Sequence, residues 1–176
     1  LDWTDSVKDA QRHWIGRSEG ASVRFAMADA SGQPDGSGEE VEVFTTRPDT
    51  LHGVSFMVLA PEHPLVGKFT NDAQRKDVED YKEAAAGKSE RDRQGDKTIS
   101  GVFTGGHVRH PLTKAAVPVW IADYVLAGYG TGAIMAVPSG DERDWRFARH
   151  FDLPIPNIFE GVDLSEEACT DKKAIL

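Results

Sequence analysis

Thr45-Thr46-Arg47-Pro48-Asp49-Thr50 gathers three hydroxyls, a guanidinium and a carboxylate within six residues. The alternating run Val41-Glu42-Val43-Phe44 leads into it, and Pro48 stops the run. A strand that ends in a polar, proline-stiffened corner places side chains at a sheet rim, where sites are often built. No Gly-x-Ser-x-Gly elbow occurs, and Cys169 lies in a polar tail with no base assigned to it. His107 and His110 share a strand region without a clear third ligand, so no metal site is expected; His52 and His63 read as surface or turn residues. The chemistry open to such a set is attack by a positioned water.

A second polar corner spans residues 130–144. Gly128-Tyr129-Gly130-Thr131-Gly132 precedes the apolar run Ala133-Ile134-Met135-Ala136-Val137, which Pro138 closes. These glycines precede a strand rather than a helix and lack a Gly-Lys-Ser/Thr ending, which argues against a phosphate loop. Ser139 and Glu142 fit a capping box that starts a helix. The helix's apolar stripe, Phe147, Ala148 and Phe151, continues backwards by threes and fours to Asp144. Asp144 therefore faces inward, and positions 140, 141, 147 and 148 offer it no base. An inward carboxylate needs a tertiary hydrogen bond, a cation from elsewhere or a ligand cation. Asp141 suits the first turn of the helix, where an acid favours the dipole.

The elements that must position these corners follow from period and punctuation. Residues 5–16 read as a helix with Trp3, Val7, Ala10, Gln11 and Trp14 near one stripe. Residues 22–44 read as a hairpin with a long Gly/Pro/Ser turn. Residues 54–60 form a strand, and 71–86 a helix with Asn71 as cap. Residues 87–98, dense in both charge signs, read as a solvated loop. Short strands are expected at 101–104 and 107–110, joined by Gly105-Gly106, then at 117–122 and 132–137. Residues 141–151 form the last helix. The fold class is α+β, with a barrel-like β core flanked by helices, because a curled sheet hides its edges.

Composition bounds the rest. The chain has 176 residues, 39% hydrophobic and 28% charged, enough for one folded domain. No apolar stretch approaches the roughly 20 residues of a membrane span. No secretory signal pattern opens the sequence, and a single cysteine fits a reducing compartment. The net charge of −9 argues against autonomous nucleic-acid binding, which needs clustered Lys and Arg.

The assembled motifs resemble the editing insertion of bacterial-type leucyl-tRNA synthetases. The resemblance rests on Trp14-Ile15-Gly16-Arg17-Ser18-Glu19-Gly20, on Thr45-Thr46-Arg47-Pro48-Asp49-Thr50-Leu51-His52-Gly53, and on Ala60-Pro61-Glu62-His63-Pro64-Leu65. It is completed by Gly130-Thr131-Gly132-Ala133-Ile134-Met135-Ala136-Val137-Pro138 with Asp141-Glu142-Arg143-Asp144. It covers about residues 3–155. It implies a linking helix and lead-in segment at 1–20 and the editing domain at 21–176, whose last segment is not evident after Asn157. The family often has Gly-His-Asp after this proline; here Ser139-Gly140-Asp141 stands instead, leaving any role of that His unfilled or moved. The parent's two ATP-binding signatures are absent from the chain.

The resemblance implies hydrolysis of the ester of mischarged leucine tRNA, norvalyl or isoleucyl, with leucyl-tRNA spared. Asp144 would bind the α-ammonium. Thr45 and Thr46 would hold the carbonyl, ribose or water, and Thr50 would exclude leucine. Arg47 would contact the terminal nucleotide, with Asp49 either touching ligand or satisfying the turn. Tyr129, Met135 and Val137 would line the side-chain and adenine pockets, and Asp141 would orient the site. No cofactor is implied for editing; ATP and Mg belong to the parent. Expected partners are the tRNA 3′ end and the rest of the synthetase, in a cytoplasmic monomer. A freestanding trans-editing hydrolase and a noncatalytic aminoacyl-adenosine-binding module are the alternatives.

Overall fold

The computed structural model describes residues 2–16, 19–95, 98–128 and 130–171. In chain order these form α1 (Asp5–Ile15), β1 (Ala21–Ala28), β2 (Glu40–Thr45), a 3-10 turn (Pro48–Gly53) and β3 (Phe56–Leu59). There follow α2 (Val66–Phe69), α3 (Arg75–Ala86), α4 (Glu90–Gly95), β4 (Val102–Arg109), β5 (Ala116–Ile121), β6 (Ala133–Ala136) and α5 (Glu142–His150). The six strands make one sheet in the order β2-β1-β4-β5-β3-β6. Only β3 and β5 run parallel; the other neighbours are antiparallel. The sheet curls so that its two edge strands, β2 and β6, approach each other, but no ladder joins them and the barrel-like core stays open.

The pleat divides β3 between two cores. Met57 and Leu59 face the interior of the curl with Phe25, Val41, Val43, Val119, Ile121 and Met135. Phe56 and Val58 face the other way, onto α5 with Ala136, Phe147 and Ala148. A strand buried on both faces reads as an unbroken apolar run, which is what Phe-Met-Val-Leu is. Phe147 stacks on Phe56 with ring centroids 5.1 Å apart and meets Trp120 edge-on at 5.6 Å. Truncating such a buried aromatic costs about 3–5 kcal/mol. These contacts fix α5, and with it Asp144, against β3 and β6.

Several local expectations need correction. The charged stretch 87–98 is not simply a loop: it contains α4, where Arg93, only 5% exposed, pairs with Glu62 at 2.8 Å. Charge density hid one side chain with a tertiary partner. The two strands expected around Gly105-Gly106 are one, β4, with a register shift between Phe103 and His107 that absorbs the glycines as a bulge. Asn71 lies a turn before α3, accepting from the Gln74 amide at 3.0 Å. Ser139 does not cap α5. Asp141 does, its Oδ1 accepting from the amides of Arg143 (2.9 Å) and Asp144 (3.0 Å). Sequence spacing could not choose between two side chains both suited to a cap. The helix α1 forms as expected, yet buries none of its residues, and Trp14 is 89% exposed.

Candidate functional site

The two polar corners meet through the β3–β6 ladder. The 3-10 turn runs directly into β3, and β3 pairs antiparallel with β6 from Phe56–Ala136 to Leu59–Ala133. The Ser55 amide extends the pairing to the Ala136 carbonyl at 3.2 Å. The strand β6 then leads through Pro138 into α5. At the junction Gly53 faces Val137 so closely that a Cβ there would lie 2.9 Å from Val137 Cγ1. A side chain at position 53 would push the corners apart. At the other end of β6, Gly132 adopts φ +70° and its carbonyl accepts from the Ala60 amide at 2.9 Å.

The first corner satisfies its own polar groups. Thr45 Oγ1 accepts from the Arg47 amide at 3.0 Å, so its hydroxyl hydrogen remains available to an incoming acceptor. Thr46 is exposed. Arg47 grips Asp49 through Nε (3.0 and 3.1 Å) and Nη2 (2.8 Å), a forked pair that holds the Asp49 carboxyl below the usual carboxylate range and raises the guanidinium. Asp49 therefore braces Arg47 across Pro48. Thr50 is buried, and its hydroxyl donates to the Arg47 carbonyl at 2.9 Å. With the hydroxyl so committed, the γ-methyl is what Thr50 has left to present.

The second corner is different. Asp144 is 5% exposed and its Oδ2 accepts from the Val137 amide at 2.9 Å. The inward placement expected from the helix stripe is observed. Among the described residues Asp144 forms no salt bridge. Burial, then the charge of Asp141, raises its carboxyl to about 8, while the Val137 amide and the Arg143 charge oppose the shift. The Arg143 guanidinium itself lies over the Tyr124 ring, 5.3 Å from its centroid. The Tyr124 hydroxyl is near enough to Asp144 for each to influence the other's ionisation, yet among the described residues it makes no well-formed hydrogen bond; burial and the two aspartates hold it well above its ordinary value. The Ser139 hydroxyl is also buried without a partner among the described residues. A buried carboxyl held above its ordinary range, without a salt bridge among the described residues, is a place where a cationic group can supply what the fold leaves out.

The remaining expected residues fall as follows. Met135 and Val137 are buried, both in the interior cluster that borders the turn. Asp141 is the α5 cap and acts on Asp144 through its charge. Tyr129 lies outside the described residues. Sequence reasoning missed Tyr124, which sits in an apolar stretch with nothing to mark it. It also gave no structural part to His110, which is buried and hydrogen-bonded to the 3-10 turn through Leu51. Among the described residues no three His, Cys, Asp or Glu groups come together in a way that could hold a metal ion, and no helix is long and apolar enough to cross a membrane.

Comparison with known proteins adds a family to this geometry. A family model described as "Leucyl-tRNA synthetase, editing domain" matches residues 12–176. The leucine–tRNA ligase of Christiangramia forsetii is 59% identical over 174 residues, covering 98% of this chain and 17% of that protein. That of Phocaeicola vulgatus is 53% identical over 176 residues, covering 100% of this chain and 18% of the ligase. The chain thus spans less than a fifth of these relatives. Among solved structures, the Agrobacterium radiobacter K84 agnB2 LeuRS in ternary complex with tRNA and LeuAMS superposes with a TM-score of 0.72 at 40% identity, over 92% of this chain and 18% of that one.

Proposed function

The chain belongs to the leucyl-tRNA synthetase editing-domain family, and on that premise we propose that it hydrolyses the ester of mischarged leucine tRNA while sparing leucyl-tRNA. The observation that carries the proposal is Asp144: a buried carboxyl with one backbone donor and, among the described residues, no salt bridge, in the first turn of the helix that follows β6, whose ladder partner β3 is the strand the threonine turn leads into. The α-ammonium of an aminoacyl group supplies the missing cation. Proton loss from Asp144 and capture of the ammonium then form a desolvated pair.

The chemistry is the addition of water to the ester carbonyl carbon. The carbon–oxygen bond to the ribose breaks, the ribose oxygen takes a proton, and free amino acid and tRNA result. The chain's contribution is position. Thr45, with a free hydroxyl hydrogen, and the exposed Thr46 bind the carbonyl, the ribose or the water. Thr50 presents a methyl wall that a norvalyl or isoleucyl group passes and a leucyl group strikes. Such a sieve is needed because one methylene is worth only about 1–3 kcal/mol in an apolar pocket. Arg47, held by Asp49, meets the terminal nucleotide. Met135 and Val137 line the pockets for the side chain and adenine.

In this reading residues 21–176 are the editing domain and 1–20 link it to a parent enzyme. That parent would be a cytoplasmic monomer that supplies most of the grip on tRNA, as the net charge of −9 requires. ATP and Mg serve the parent's synthetic site and have no part in hydrolysis. The test is deacylation of norvalyl- and leucyl-tRNA(Leu), by this chain and within a full-length relative. Loss of the norvalyl ester with the leucyl ester kept is the expected result. Binding of a 3′-aminoacyl-adenosine analogue with no hydrolysis in either context would leave only a binding module.

A further inference from the structure

Apart from bonds to its flanking residues Arg47 and Val54, the 3-10 turn that carries Thr50 is tied to the rest of the fold by a single hydrogen bond among the described residues. Among the described residues Thr50 bonds only to the residue that precedes its turn, donating to the Arg47 carbonyl through both its amide (3.2 Å) and its hydroxyl (2.9 Å). The bond that leaves the turn runs from the Leu51 carbonyl to His110 Nε2, at 2.9 Å.

His110 is held from every side. It is 2% exposed and sits where β4 ends. Its amide donates to the Ala115 carbonyl at 2.9 Å and its carbonyl accepts from the Lys114 amide at 3.0 Å. Its Nδ1 accepts from the amides of Leu112 (3.1 Å) and Thr113 (3.2 Å). The Phe25 ring meets it edge-on, with centroids 6.4 Å apart. Two amide donors at Nδ1 assign the hydrogen to Nε2, which therefore donates to Leu51. Burial holds the imidazole below its ordinary range, in keeping with the neutral form.

We propose that His110 is a positioning residue for substrate selection: it clamps the turn so that Thr50 cannot yield to a leucyl side chain. The proposal rests on the sieve reading of Thr50. Exclusion by collision needs a wall that does not move, because a shift of a few tenths of an ångström relieves the clash. Acceptance of a smaller group makes no such demand. The clamp therefore acts on discrimination more than on hydrolysis itself.

Two substitutions divide the roles of the ring. Asn at 110 keeps an acceptor for the Leu112 and Thr113 amides, in a geometry asparagine favours, but does not reach Leu51. Gln at 110 keeps a donor toward Leu51 and gives up the local acceptor. We expect the ratio of leucyl- to norvalyl-tRNA(Leu) hydrolysis to rise about tenfold in H110N, the effect of one lost buried hydrogen bond, and to stay within about twofold of wild type in H110Q. Amide exchange at Thr50 and Val54 should accelerate by a similar factor in H110N alone. An unchanged ratio in H110N, or an equal rise in both variants, would overturn the clamp. A wild type that hydrolyses neither ester sinks the function and leaves the exchange measurement to judge His110. If H110N does not fold, the wild type decides: its His110 Nε2–H must appear as a slowly exchanging imidazole proton, and a rapidly exchanging one overturns the proposal.

Discussion

The 45–53 corner satisfies the hydroxyl of its buried threonine and its own ion pair, whereas the 130–144 corner leaves buried polar groups open. In the first, the Thr50 hydroxyl is spent on the Arg47 carbonyl and the Arg47 guanidinium on Asp49. In the second, Asp144 has one amide donor and no salt bridge among the described residues, and the buried hydroxyls of Tyr124 and Ser139 have no partner there. A region that has satisfied itself can offer shape at little cost in rearrangement. A region with a buried, neutral carboxyl is poised to exchange a proton for a cation. The two corners thus divide recognition: shape from one, charge from the other.

The largest expected effect comes from removing the charge. Asp144→Ala should cut norvalyl-tRNA(Leu) deacylation by the equivalent of about 2–5 kcal/mol, tens- to thousands-fold, as deletion of one member of a buried charge pair does. Steady-state deacylation with circular dichroism as a control for folding measures this. Thr50→Ala should act in the opposite sense, raising leucyl-tRNA hydrolysis by about 10–200-fold with little change for norvalyl, the range a single methylene sets. Single-turnover hydrolysis of both esters checks it. Should both variants lose both activities alike, the division between shape and charge is wrong.

Smaller effects sharpen the same contrast. Asp141→Ala removes the α5 cap and should lower stability by about 1 kcal/mol in denaturant unfolding. It should also lower the Asp144 carboxyl, because the Asp141 charge is one of the causes of its rise. Asp49→Ala breaks a largely exposed pair worth about 0.2–1 kcal/mol, so binding of a 3′-aminoacyl-adenosine analogue should weaken by less than about fivefold. An Asp49 effect as large as that of Asp144 would show that the first corner, too, recognises charge.

Much of this architecture was legible in the sequence because period and punctuation coincide there. The stripe Phe147, Ala148 and Phe151 placed Asp144 inward, and the structure buries it. The unbroken run at β3 is buried on both faces. What stayed illegible depends on tertiary partners. Arg93 looks like one charge among many until Glu62 meets it. Ser139 and Asp141 are both fit to cap a helix, and only the backbone path decides between them. His110 resembles any histidine at the end of a strand; its contact with Leu51 spans 59 residues, which no local pattern encodes. The resemblance to a family located the corners, but it could not show that one is satisfied and the other is not.

The most direct test of that difference is the ionisation of Asp144, followed by carboxyl carbon NMR with and without a non-hydrolysable 3′-aminoacyl-adenosine analogue. Its folded value stands above the ordinary 3.8, so the folded state holds the extra proton, and stability should fall as pH rises from about 4 toward about 8. In the free protein the carboxyl should titrate near 8. With the analogue's ammonium bound, it should be ionised throughout the neutral range, its titration displaced downward. A carboxyl that titrates at its ordinary value when free, or that the ligand leaves unmoved, would contradict the account.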